Sequence, residues 1–155
     1  MEIILAENHG FCYGVKRAVE MANEAADGKG KSYTLGPIIH NPQVVGRLES
    51  KGVSPIQEVA DIDEGTMIIR SHGVGPAIYA EAEEKGLHIL DATCPHVKKA
   101  QQDAKSVIED GMTLVILGEK NHPEVKSINL WANNKGIIIE DEESAQKLQI
   151  VEKMG

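Results

Sequence analysis

The stretch C-Y-G-V-K-R-A-V-E-M-A, residues 12–22, returns 82 positions later as C-P-H-V-K-K-A-Q-Q-D-A, residues 94–104. The two agree at the Cys, the Val, the first Lys and both Ala positions, and each keeps a basic residue at the sixth. At the same offset L-G-P-I-I-H, ending at His40, returns as L-G-E-K-N-H, ending at His122. Two matches in one register, with no gap between them, point to one structural unit used at least twice. Each copy offers a Cys at one loop and a His at the next.

Outward from that register the chain alternates apolar runs with helical periodicity. Strands are expected at 2–5, 32–35, 66–70 and 87–90, with helices at 13–28, around 44–48 and at 76–85. The second copy is expected to give a helix over 97–109, a strand over 113–117, a helix over 124–131, a strand over 136–139 and a helix over 142–148. Such alternation predicts an α/β fold of repeated parallel lobes with helices on both faces. Residues 1–91 form the expected first lobe and residues 92–155 a second, incomplete one. In the first copy Gly65 precedes a strand that ends at Ser71-His72-Gly73, whereas the second copy stops at Gly155, where the matching strand should begin. The expectation is a longer protein.

With 155 residues, 41% of them hydrophobic and 26% charged, the chain is an ordinary globular sequence. Its net charge of -8 argues against a nucleic-acid partner. The basic pairs Lys16-Arg17 and Lys98-Lys99 read as exposed helix faces. Met1 to Ala6 does not resemble an export signal, and no apolar run approaches the roughly 18 residues of a membrane helix, so a cytoplasmic protein is expected. Two cysteines in a reducing compartment favour ligand, redox or core roles over a disulfide.

Each cysteine is expected between a strand and a helix, at the carboxyl end of a sheet, where α/β proteins place ligands. A helix N-terminus favours a thiolate, which suits metal binding; a buried structural Cys is the competing reading. His40, His72 and His122 each precede a proline able to open a helix, and three imidazoles beside helix N-termini suit a phosphate or diphosphate. Helix capping is the alternative for any one of them. His9, His88 and His96 lack that setting and read as surface or supporting residues. Glu124 stands two residues after His122 where the first copy has Gln43, and reads either as a proton donor or as a first-turn Glu serving the helix dipole.

Taken together, A-E-N-H-G-F-C-Y-G-V-K-R-A, L-G-P-I-I-H-N-P-Q-V-V, I-I-R-S-H-G-V-G-P, D-A-T-C-P-H-V-K-K and G-E-K-N-H-P-E-V resemble the 4-hydroxy-3-methylbut-2-enyl diphosphate reductases of the methylerythritol phosphate route to isoprenoids. The resemblance runs through essentially the whole chain. It implies three pseudo-symmetric α/β lobes around a [4Fe-4S] cluster, of which this chain holds two. It also implies reductive dehydroxylation of an allylic alcohol diphosphate to isopentenyl and dimethylallyl diphosphates. Cys12 and Cys94 match two of the family's three cluster ligands, His40, His72 and His122 its substrate-binding histidines, and Glu124 the acid of its proton relay. The third cysteine, a Thr-rich segment and a Ser/Asn set have no counterpart here, so little activity is expected of these residues alone. Electrons are expected from a ferredoxin or flavodoxin, since nothing resembles a flavin or nicotinamide site. Two other classes stand beside this one: a zinc module built from Cys12, Cys94 and histidine, although closely spaced C-x-x-C pairs are absent, and a non-catalytic diphosphate-binding or interaction domain.

Overall fold

The computed structural model describes residues 2–7, 9–28 and 30–148. Its strands are β1 (Ser32–Leu35), β2 (Val53–Ile56), β3 (Thr66–Ile69), β4 (His88–Asp91), β5 (Val115–Leu117) and β6 (Ile137–Ile139). Its α-helices are α1 (Tyr13–Asp27), α2 (Pro42–Ser50), α3 (Pro76–Glu84), α4 (Pro95–Glu109), α5 (Pro123–Trp131) and α6 (Glu142–Gln146). The first four strands make one sheet in the order β2-β1-β3-β4, and the last two make a second; every pairing is parallel.

Parallel pairing needs a crossover after each strand, so the sheet is covered by helices and its strands are apolar on both faces. Ile68 and Ile69, successive in β3, show this directly: both are fully buried, yet they belong to opposite cores. Ile68 packs with Ala18 and Ala22 of α1, Ile38, Leu48 of α2 and Val53. Ile69 packs with Leu35, Val59, Ile62, Met67, Val74 and Ala82 of α3. Burying one such isoleucine contributes about 1.5–3 kcal/mol, and the alternation of faces sets the register. The second sheet has its own cluster, with Ala104 of α4, Leu114, Ile116, Val125 of α5 and Ala132.

Four of the helices, α2 to α5, begin with proline, whose fixed φ suits the first helical position and whose missing N–H costs nothing there. Asn41 caps α2 by accepting the N–H of Val44 at 3.0 Å. Each proline therefore opens its helix straight from the preceding loop, so that residues just before it stand at a helix N-terminus.

Two expectations need correction. Residues 2–5 do not form a strand; Ile3, Ile4 and Leu5 are 77%, 83% and 75% exposed, because no described strand offers them backbone partners. Conversely, Val53–Ile56 forms β2, a strand not among those expected, with Pro55 within it. β2 pairs only with β1, and a sheet edge tolerates a residue with no N–H. Elsewhere the boundaries move by at most two residues. The break at Gly155 lies outside the described residues. No helix among those residues is long and apolar enough to cross a membrane.

Candidate functional site

The site grows from the carboxyl ends of β1, β3 and β4, because parallel strands deliver their loops to one edge. Past β3 and β4 the ladder continues: Ala92 N–H donates to Ile69 O at 3.0 Å and Cys94 N–H to Ser71 O at 2.9 Å. Ser71 reaches the loop after β1 as well, donating through its Oγ to Ile38 O at 3.3 Å. Three loops, bearing His40, His72 and Cys94, are thus held side by side. His122 comes from the other sheet, as the N-cap of α5.

The three imidazoles meet across these elements. Ring centroids lie 4.6 Å apart for His40 and His72, 5.6 Å for His72 and His122, and 6.1 Å for His40 and His122. One nitrogen from each lies within 4.8 Å of the other two. His72 is half-buried, and burial first, then the neighbouring His40, Arg70 and His122, lowers its pKa to about 4. It is neutral near pH 7, and its buried Nδ1 has no hydrogen-bond partner among the described residues.

Such a trio could in principle hold a metal ion, but one hydrogen bond argues for an anion. His122 Nδ1 accepts the backbone N–H of Glu124 at 3.2 Å. A backbone N–H can only donate, so the neutral His122 ring carries its proton on Nε2. The free nitrogen therefore donates, which serves a phosphate oxygen and opposes a metal ion. Arg70, half-buried, adds permanent positive charge close enough to depress His72, and its own pKa is lowered by burial. Its buried Nε has no partner among the described residues, and Gly36 makes room for the guanidinium, since a Cβ there would lie 2.9 Å from Nη1.

The cysteines occupy equivalent places. Cys12 is the N-cap of α1 and Cys94 the N-cap of α4, each helix being 15 residues long. Both are free thiols; Cys12 is exposed and Cys94 half-buried. Gly14, two residues after Cys12, packs against Cys94: an added Cβ there would lie only 2.5 Å from Cys94 Sγ. Arg17 reinforces this contact from the next turn of α1, donating to the carbonyl of Thr93 at 3.2 Å and to that of Asp91 at 3.4 Å. A buried structural role does not fit two thiols at paired helix N-termini, one of them exposed. The donor set fits two corners of an iron-sulfur cluster, whose iron atoms take cysteine thiolates. A zinc site mixing the cysteines with histidine is disfavoured, because the imidazole trio includes neither thiol.

The D-A-T-C loop is organised by Asp91. Its carboxylate accepts from Thr93 N at 2.9 Å and Tyr79 Oη at 2.9 Å, and pairs with Lys98 Nζ at 2.6 Å. Burial pushes the Asp91 carboxyl up, but the hydrogen bonds from Lys98, Thr93 and Tyr79 outweigh it and leave the pKa below the ordinary value. Burial, followed by the Asp91 charge, raises the Tyr79 phenol.

Glu124 sits in the first turn of α5, half-buried and two residues from His122. His72 departs from the expected pattern. Helix α3 starts at Pro76 and is capped by Gly75, so His72 enters the cluster from a turn before the helix rather than from its cap. The basic pairs are not simply exposed faces either, since Arg17 and Lys98 both grip the loop that carries Cys94. His9 binds Ala6 O, His88 approaches Thr66 Oγ1, and His96 is exposed, all away from the cluster. The sequence assigns no role to Gly14 or Arg70; for Arg17, read there as part of an exposed helix face, the repeat register that aligns it with Lys99 was the available signal.

These features define a parallel α/β protein with a candidate anion and thiolate site at the carboxyl edge of its strands. The chain belongs to the LytB protein family, whose model matches residues 3–155. It is 50% identical over 155 residues to the 4-hydroxy-3-methylbut-2-enyl diphosphate reductase of Geotalea uraniireducens, and 51% identical to that of Geotalea daltonii; each match covers all of this chain and 55% of the relative. Among solved structures it resembles an (E)-4-hydroxy-3-methyl-but-2-enyl diphosphate reductase, the terminal enzyme of the non-mevalonate pathway. That match has 48% identity and a TM-score of 0.79, covering 91% of this chain and 52% of the other. It also resembles the E-1-hydroxy-2-methyl-but-2-enyl-4-diphosphate reductase from Plasmodium falciparum, with 32% identity and a TM-score of 0.88, covering 94% of this chain and 46% of that one. The chain spans about half the length of the relatives it matches.

Proposed function

We propose that this chain is the part of a 4-hydroxy-3-methylbut-2-enyl diphosphate reductase that supplies two cluster thiolates and the imidazole wall of the diphosphate site. The observation that carries the reading is the gathering of His40, His72 and His122 within 4.8 Å at the strand edge that also bears Cys94. Cys12 and Cys94 would hold a [4Fe-4S] cluster, which when bound supplies electrons singly and Lewis acidity toward an allylic hydroxyl. The Nε2–H of His122 donates to a diphosphate oxygen, and His40 and the neutral His72 complete the wall. The positive charge of Arg70 and the N-terminus of α5 offset the ligand's charge. Held there, the diphosphate sets where the alcohol end lies. Glu124 delivers a proton to the departing hydroxyl, which leaves as water. Electrons come from a ferredoxin or flavodoxin, and the cytoplasm, where thiols stay reduced, is the expected setting. The two repeat copies divide at residue 91, giving lobes over 1–91 and 92–155.

Calorimetric titration of the chain with inorganic diphosphate tests the reading. Saturable binding that is lost in His122→Ala and His72→Ala is expected. Absence of binding, or binding unchanged in both variants, would overturn it.

A further inference from the structure

We infer that Ser127 and Gln101 are positioning residues, forming a buried relay that clamps the backbone of His72 to the helix carrying His122. Gln101 Nε2 donates to Ser127 Oγ at 2.7 Å, and Ser127 Oγ donates to the His72 carbonyl at 2.9 Å. Both side chains are buried, at 3% and 2% exposure, so neither link is shared with bulk water. The serine hydroxyl has one proton to give, and its direction is fixed because the Gln101 amide occupies the other side.

The neighbouring residues show that this approach is specific. At Gly73, where φ is +71°, an added Cβ would lie 2.5 Å from Gln101 Nε2, 2.9 Å from Thr93 Cγ2 and 3.2 Å from Ser127 Oγ. Only a residue without a side chain lets the turn sink onto the relay. Gly75 fits against Leu130 in the same way, and Trp131 Nε1 donates to the Val74 carbonyl at 2.9 Å. Ser127, Leu130 and Trp131 stand at i, i+3 and i+4, one face of α5. Helix α5 therefore supplies one imzidazole of the cluster from its N-cap while gripping, with its inner face, the turn that bears another. Apolar packing alone would allow the turn to slide along the helix; a directional hydrogen bond to the carbonyl of His72 itself does not.

The inference rests on the diphosphate reading only for its effect on ligand binding, so the test carries two readouts. In the whole chain, Ser127→Ala removes the donor to His72, and Gln101→Met removes the support of Ser127 while keeping the hydroxyl. Nuclear Overhauser contacts between the His72 and His122 rings are measured first. Inorganic diphosphate binding is measured second. Ser127→Ala should lose or weaken the ring contact and bind diphosphate about tenfold less tightly, the scale of one unsatisfied buried carbonyl. Gln101→Met should move both readouts the same way by less, and it carries the test should Ser127→Ala fail to fold. Val107→Ala, which trims the second-sheet core away from the relay, should lower the unfolding midpoint but leave both readouts unchanged. Ring contacts and affinity preserved in both relay variants would overturn the inference, as would equal losses in Val107→Ala. If the wild-type chain binds no diphosphate, the functional reading fails while the ring contacts still decide the relay.

Discussion

Gly14→Ala is the sharpest single perturbation of the thiolate pair. Ordinarily the change would stabilise a helix by up to about 1 kcal/mol, less in the first turn, where Gly14 lies. Here the new methyl would sit 2.5 Å from Cys94 Sγ and 3.0 Å from its Cβ, inside any real contact distance. Overpacking of that kind costs about 1–3 kcal/mol. The two effects leave a net destabilisation of about 1–2 kcal/mol, or about 0.5–1 M in urea midpoint at a slope near 2 kcal/mol/M. The clash can also be relieved by turning the Cys94 side chain away from α1, which preserves stability but separates the thiols. Urea unfolding should therefore be paired with a Cd(II) titration, which reports two thiolates on one ion through the charge-transfer band. A double-mutant cycle with Cys94→Ala isolates the contact, because removing Sγ leaves only the 3.0 Å approach to Cβ. The methyl should cost less in that background. A Gly14→Ala protein more stable than wild type, with an unchanged Cd(II) band and no coupling to Cys94, would refute the packing of α1 on Cys94.

Two further outcomes follow from the site. His72 titrates at about 4 when folded and near 6.5 when unfolded, so the unfolded chain binds the extra proton between those values. Its contribution to stability is thus present above pH 6.5 and lost as pH falls toward 4. About 1–2 kcal/mol is expected after allowance for solvent screening of a half-exposed ring, and His72→Asn should flatten that part of the urea stability profile. In the full gene product, Glu124→Gln keeps the shape and the carbonyl acceptor but has no proton to give. Turnover should fall by about 100-fold or more while diphosphate binding and iron content persist, and near-normal turnover would remove Glu124 from the proton path.

What could be read in the sequence was whatever depends on local pattern. Helices α1 and α4 announced themselves through helical spacing and through the register of Cys12 with Cys94. β1 and β3 did so as short apolar runs closed by Gly36 and by Ser71. What could not be read depends on pairing at a distance. Ile3 to Leu5 has the composition of a strand, but a strand exists only against another, and none of the described strands lies beside it. β2 contains Pro55, whose missing N–H matters only if both sides of the strand are paired, and only the sheet order makes β2 an edge. The site divides in the same way. His40, His122 and the cysteines were visible because prolines and the repeat placed them at helix starts. Ser127, Gln101 and Arg17 were not, since each acts by reaching a backbone carbonyl or side chain that is remote in sequence. The fit of Gly14 against Cys94 Sγ is likewise a contact between residues remote in sequence.

In the proposed reductase, Cys12 and Cys94 serve one iron-sulfur cluster beside the imidazole trio. Iron and acid-labile sulfide, counted per chain after anaerobic reconstitution of the full gene product, test it most directly in the wild type, Cys12→Ser and Cys94→Ser. About four of each are expected in the wild type, with most of both lost in either variant. Full iron and sulfide in either serine variant would contradict it.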